Sequence, residues 1–255
     1  MTNSSRKSLL RGVAIIATLT IAITVVSTST AVTGVSQRVL LADNSLDTTA
    51  AARAEAVRVL GVMVDLAAAE QGVVAAAPFQ ASALATIDWP INHHFTPASS
   101  DPNSYYRKLD LNQQAATVKG QAKALFARQS GGQGTDIIGG LLAASELFAS
   151  EPAGERVLVL ASNMWAYSPA DGLILKKQAL NRRQITRLIE RLAKAGKIAR
   201  LQSVCVYVIG AGLDPHRRIP TAVQLSMRAF WHAYFTRAGA GIRGWTPTMD
   251  SDPSC

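Results

Sequence analysis

With only two cysteines, Cys205 and Cys255, the 255-residue chain has no disulfide framework. Cys205 lies in an apolar run and Cys255 is the last residue. The expectation is a buried thiol and a terminal one, with a bridge between them the less favoured arrangement. Histidine is equally sparse, at four residues. His93 and His94 are adjacent, so their imidazoles diverge, and His216 and His232 are isolated. No zinc spacing results. There is no G-x-S-x-G elbow and no phosphate-binding G-x-x-x-x-G-K-[ST] loop. Gly210-Ala-Gly212 lacks a third glycine and runs into Leu213-Asp-Pro215, which argues against a dinucleotide site. A nucleophilic Asp43 would need a second aspartate two residues on, where Ser45 stands. The chain is therefore not expected to be an enzyme.

Acidic residues are outnumbered 17 to 26, for a net charge of +9. The excess is local. Lys176 to Arg200 holds nine Lys or Arg against one acid, Glu190, so the rest is near neutral. No aromatic residues interleave with these charges as base-stacking platforms would require, and nucleic acid is not an expected partner. Arg182, Arg183 and Arg187 are candidate partner contacts. The plainer reading of the same helix is a solvated outer face.

Charge is also missing from Gly12 to Gln37. Residues 1–11 are polar and basic, so 12–35 is expected to be a transmembrane anchor or a signal peptide. The expected location is the cell membrane, single-pass, with the domain outside the cytoplasm. Ser29-Thr30-Ala31 fits a cleavage site, and a secreted product is the alternative.

Beyond Gln37, apolar runs without alternation are separated by helical patterns. Val39–Ala42, Val73–Phe79, Val157–Leu160 and Ser203–Ile209 read as strands, with Ala83–Trp89 as a further one, paired with the second as a hairpin. Thr48–Glu70, Leu111–Arg128, Ile137–Ala149, about 178–195 and about 221–238 read as helices. The loop from Pro90 to Asp110 looks least ordered, and 239–255 reads as a loose tail. This predicts an α/β domain over 38–238, a doubly wound, mostly parallel sheet with helices on both faces. Sites in such sheets form at the carboxyl ends of strands, where strand order reverses.

Three strand or helix junctions there carry oxygen groups: Asp43-Asn-Ser45-Leu-Asp47, Thr135-Asp136 and Ser162-Asn163. Hard oxygen donors without His or Cys suit Mg²⁺ first, with Mn²⁺ or Ca²⁺ as alternatives. Each has a plainer role. Asp47 or Thr48 can cap the first long helix, Thr135 can cap the helix it precedes, and Asn163 can form a turn.

In this order and spacing the chain resembles the von Willebrand factor A family. That family has D-x-S-x-S after its first strand, a Thr-Asp pair opening a later helix and an S/T-D-G turn after the fourth strand. Here the second serine is Asp47 and the aspartate of the last turn is Asn163, so the count of two carboxylates is kept. The resemblance implies a metal-ion-dependent adhesion site of degenerate form, held by Asp43, Ser45, Asp47, Thr135 and Asn163. It also implies a protein ligand that supplies an acidic group to the ion. Trp165 and Tyr167 are candidates for the rim around that ligand, or are loop anchors. The alternative keeps the fold without the metal, as a structural subunit of a cell-envelope assembly docking through the basic helix.

Overall fold

The computed structural model describes residues 34–45, 48–79, 88–98, 103–127, 135–150, 153–168, 173–175, 178–213 and 218–255. In chain order these form β1 (Val35–Ala42), α1 (Ala50–Glu70), β2 (Val73–Pro78), β3 (Ile91–His94), α2 (Ser104–Ala127) and α3 (Ile137–Ala149). Then come β4 (Ala153–Ala161), a hairpin of β5 (Tyr167–Ser168) and β6 (Leu173–Ile174), α4 (Arg182–Lys194), β7 (Val204–Ile209), α5 (Thr221–Ala238) and β8 (Gly241–Thr246).

The main sheet has six strands in the order β3-β2-β1-β4-β7-β8. β2, β1, β4, β7 and β8 run parallel, and β3 alone pairs antiparallel, with β2. The fold class is thus the expected one. Successive strand residues feed two separate cores, because side chains alternate across a sheet. Val39, Leu41, Leu158, Leu160, Val206 and Val208 face α3, α4 and α5. Leu40, Ala42, Val157 and Val159 face α1 and α2. Burial on both faces explains the unbroken apolar runs. Each fully buried leucine here, such as Leu40, Leu41 or Leu60, contributes roughly 1.5–3 kcal/mol.

Local chemistry sets the helix limits. Thr49 caps α1, its side chain accepting from the Ala52 N–H at 3.1 Å, so the cap is neither Asp47 nor Thr48. Asn181 and Gln184 form a reciprocal capping box on α4. Ile185, Leu188, Ile189 and Leu192 are the buried stripe of α4, as the periodicity predicts. Gly140 lets α3 approach the sheet, since a Cβ there would lie 2.6 Å from the Phe79 ring. On α5, the buried Trp231 donates its ring N–H to the Met164 carbonyl at 3.0 Å.

Four expectations are corrected. The third strand is Ile91–His94, inside the stretch read as loop, and most of Ala83–Trp89 lies outside the described residues. α2 begins at Ser104, seven residues early. Residues 239–255 are not loose. Gly241–Thr246 forms the edge strand β8, and the last nine residues cross the α1 side of the sheet towards its amino end. Along that path Met249 is buried and exchanges hydrogen bonds with Glu55 and Arg58. The Pro253 carbonyl accepts from Arg38 at 2.6 Å, and Tyr207 and Ser254 hydrogen bond to each other. Cys255 is bridged to Cys205, with Cα atoms 5.5 Å apart. The bridge forms because this return path brings Cys255 to the start of β7.

The fourth correction concerns the amino-terminal segment. Among the described residues no helix is long and apolar enough to cross a membrane. Val35, counted in the anchor, is the first residue of β1. The single-pass placement is therefore not supported, and residues 12–33 lie outside the described residues.

Candidate functional site

β1 connects through α1 to β2 on one side, and β4 connects through α4 to β7 on the other. The two crossovers lie on opposite faces of the sheet. Strand order therefore reverses between the neighbours β1 and β4, and their carboxyl ends open a crevice. Asp43 and Ser162-Asn163 stand at those two ends, tied by the Asp43 N–H donating to the Ala161 carbonyl at 2.7 Å.

Asp43 is only 5% exposed. Its Oδ1 accepts the Ser45 N–H at 3.0 Å, an Asx turn that carries the chain off the strand. Its Oδ2 accepts from the Thr135 hydroxyl at 3.3 Å, across 92 residues of sequence. The Ser45 hydroxyl lies 3.5 Å from that of Thr48. No Lys or Arg pairs with Asp43 among the described residues. A buried carboxylate with two hydrogen bonds and no counter-charge is a costly arrangement.

Thr135 does not cap α3. Asp136 does, its Oδ1 accepting from the Gly139 N–H at 2.8 Å. The Thr135 hydroxyl is thereby left to meet Asp43. Asn163 behaves as a turn former, its Oδ1 accepting from the Trp165 N–H at 3.0 Å. A carbonyl oxygen has a second lone pair, so this bond does not prevent it from acting as a donor. The structure thus brings Asp43, Ser45, Thr135 and Asn163 to one edge of the sheet. Asp47 lies outside the described residues.

The rim residues fare differently. Trp165 is 7% exposed and belongs to the core beneath α5, so it is not a surface contact. The residue before it, Met164, takes the left-handed region at φ 62°. Tyr167 lies on β5, and its side chain is outside the described residues. Arg182, Arg183 and Arg187 are exposed on the first turns of α4. Because α4 returns from the end of β4 to the start of β7, its first turn lies at the same end of the domain as Asp43.

Sequence reasoning missed one feature. A cleft of about 380 Å³ opens beside Asp43, between the first turns of α1 and the ends of β4, β7 and β8. Asp43, Ser162 and Asn163 form one wall and Ala51, Ala52 and Glu55 another, while Ile209, Leu213 and Pro247 complete it. Pro247 and Thr248 of its lining belong to the segment read as a tail, so no local pattern announced it. Glu55 is held below the ordinary carboxylate range by its hydrogen bond from Arg58, with the Met249 N–H adding to the effect against its partial burial.

No protein-family model matches the chain, and no curated protein does. Solved structures do show likeness. An aerotolerance-related membrane protein from Bacteroides fragilis aligns over 86% of this chain and 93% of its own, at 14% identity and a TM-score of 0.40. The pilus adhesin SpaC from Lactobacillus rhamnosus GG aligns over 78% of this chain but 26% of its own, at 10% identity and a TM-score of 0.42. The vWF domain of the type V pili tip protein Mfa5 from Porphyromonas gingivalis aligns over 75% of this chain and 58% of its own, at 17% identity and a TM-score of 0.35. Values this low carry no argument about function.

Proposed function

We propose that the chain is a von Willebrand factor A-like interaction module, not an enzyme. It binds a protein partner at the carboxyl end of its sheet through a divalent cation. The observation that carries this is Asp43, a buried carboxylate at the switch point with a hydroxyl on one oxygen and no cationic partner among the described residues. Asp43, Ser45, Thr135 and Asn163 offer a carboxylate, two hydroxyls and an amide oxygen, a donor set that fits Mg²⁺, Mn²⁺ or Ca²⁺. Asp47 is the further carboxylate of the same motif. When bound, the ion supplies an attachment point for an acidic group of the partner. The chain's own residues hold the ion and keep Asp43 fixed by the Ser45 and Thr135 hydrogen bonds.

Calorimetric titration of Mg²⁺, Mn²⁺ and Ca²⁺ into the full chain, beside Asp43→Ala, tests the reading. Saturable binding lost in the variant supports it. No binding at millimolar ion, or equal binding by the variant, overturns it. A second reading has one observation in its favour. Arg182, Arg183 and Arg187 are exposed on α4 and make no ion pair among the described residues. A metal-free structural subunit docking on an acidic partner would use them. Binding of such a partner that survives chelation but not charge reversal on α4 would favour it.

A further inference from the structure

Charge on α4 is arranged in a way that helix physics alone disfavours. At about 100° per residue, Arg183, Arg187 and Lys194 fall within about 40° of one another. The buried stripe of Ile185, Leu188, Ile189 and Leu192 lies on the opposite side. Arg182 and Arg191 flank the row, and all five cations are exposed. Arg191 and Lys194, in the last turn, suit the negative end of the helix dipole. Arg182 and Arg183 stand at the positive end, where the first turn holds no acidic residue. Arg183 and Arg187 are also like charges four residues apart, which repel. On the other face of the sheet helical charges are paired. Arg58 meets Glu55 within α1, and Lys119 of α2 reaches Asp65 of α1 at 2.6 Å. Arg182, Arg183 and Arg187 form no ion pair among the described residues. Their mutual repulsion costs the free helix stability, and a docked anion relieves it.

The shape of the row narrows the choice of anion. Each step of four residues advances about 6 Å, so Arg183 to Lys194 spans a straight line of about 16 Å. Positions 183, 186, 187, 190, 191 and 194 are Arg, Thr, Arg, Glu, Arg and Lys, with no apolar or aromatic side chain among them. A protein interface needs a desolvated apolar centre, and base stacking needs aromatic platforms. This face offers neither. A flexible chain of repeated anions needs only the charges. Arginine holds three of the four cationic positions from 183 to 194, and its planar fork pairs bidentately with phosphate oxygens. We propose that the outer face of α4 binds a linear phosphate polymer along Arg183, Arg187, Arg191 and Lys194. Glu190, the one acid of the helix, lies within the row and weakens the contact. The assignment does not rest on the cation reading at Asp43.

Short-chain inorganic polyphosphate is titrated calorimetrically into the full chain in buffer free of divalent ions. Tripolyphosphate, poly-glutamate and oligo-thymidylate are run beside it at matched charge. With four phosphates engaged, affinity for polyphosphate should fall roughly 50-fold between about 50 and 200 mM salt. Arg183→Gln combined with Arg187→Gln removes two of those contacts, so the same salt step should cost only about sevenfold. Glu190→Gln should tighten binding about two- to threefold. Asp43→Ala should bind polyphosphate as the wild-type chain does. The double variant should unfold at an equal or higher temperature, because it relieves repulsion. A marked fall in its unfolding temperature would give the arginines a structural role and overturn the proposal. So would absence of polyphosphate binding at low salt, or an unchanged salt slope in the double variant. Poly-glutamate bound equally well would transfer the face to an acidic protein, and tighter oligo-thymidylate would transfer it to nucleic acid. Either result overturns the phosphate polymer. Tripolyphosphate of equal affinity overturns the extended row.

Discussion

At the amino end of the sheet Arg38 is 2% exposed, and at the carboxyl end Asp43 is 5% exposed. The two buried charges are treated in opposite ways. Arg38 reaches Glu70 and Glu155, each at 2.8 Å, and the Pro253 carbonyl. Asp43 has one backbone N–H and one hydroxyl. Burying an ion costs several kcal/mol, and good partners repay it. The amino end repays it from within the chain, using the helix end of α1, the start of β4 and the last residues. Among the described residues the carboxyl end does not. One end is closed by ion pairs within the chain, and at the other no described cation faces the buried carboxylate.

The comparison breaks most visibly at Arg38. Arg38→Met would leave two carboxylates facing an apolar side chain, and a stability loss of about 3–5 kcal/mol is expected in urea denaturation. A loss below about 1 kcal/mol would mean that the network is ornamental. Next in size is the bridge. Cys255→Ser reopens a link spanning 50 residues, with an expected cost of about 2–4 kcal/mol. A reducing agent should lower the wild-type chain by a similar amount and leave the variant unchanged. Hydrogen exchange should show the protection of Met249 falling in both cases while the central strands hold.

Asp43→Asn tests the other end. It keeps the shape and removes the charge, so without divalent ions the expected effect is a gain of up to about 1 kcal/mol. The same urea curves with added Mg²⁺ sharpen the contrast. The wild-type chain should gain stability as ion binds the folded state, and the variant should not. A loss of several kcal/mol in ion-free buffer would show that Asp43 is as structural as Arg38.

These two ends also differ in how far the sequence announced them. The parallel core was legible because β1, β2, β4 and β7 each carry an unbroken apolar run and the helices between them carry apolar stripes. α5 was read to within a residue, since Gly239 closes it in the left-handed region at φ 81°. β8 was not legible. Gly241-Ile-Arg-Gly-Trp-Thr has two glycines and an arginine, and strand propensity says little at an exposed edge. The bridge was hidden for the same reason, because a cysteine's distance along the chain says nothing about where the strap returns. At the carboxyl end, Asp43, Ser45, Thr135 and Asn163 were singled out by residue type and spacing, and the structure places them along one edge of the sheet. Sequence alone did not show that Asp136 takes the capping role or that Trp165 turns inward, because both depend on local backbone geometry.

The smallest effect joins the two ends. Glu55 lines the cleft, pairs with Arg58 and accepts the Met249 N–H at 2.9 Å, so it fastens the start of the strap. Its folded-state value lies below the ordinary 4.5, chiefly through Arg58. The sign follows from that lowering: the ionised carboxylate stabilises the folded chain above its ordinary value. That contribution disappears as pH falls through the lowered value. Arg58 is half exposed, so the contribution is under about 1 kcal/mol. Glu55→Gln should therefore flatten the acid limb of the stability–pH profile slightly and raise exchange at Met249. The Cys255 end of the strap should stay protected, since the bridge and Arg38 hold it independently. If exchange rises evenly along residues 247–255, the strap moves as one piece. The cleft wall and the amino-terminal clamp would then be a single unit.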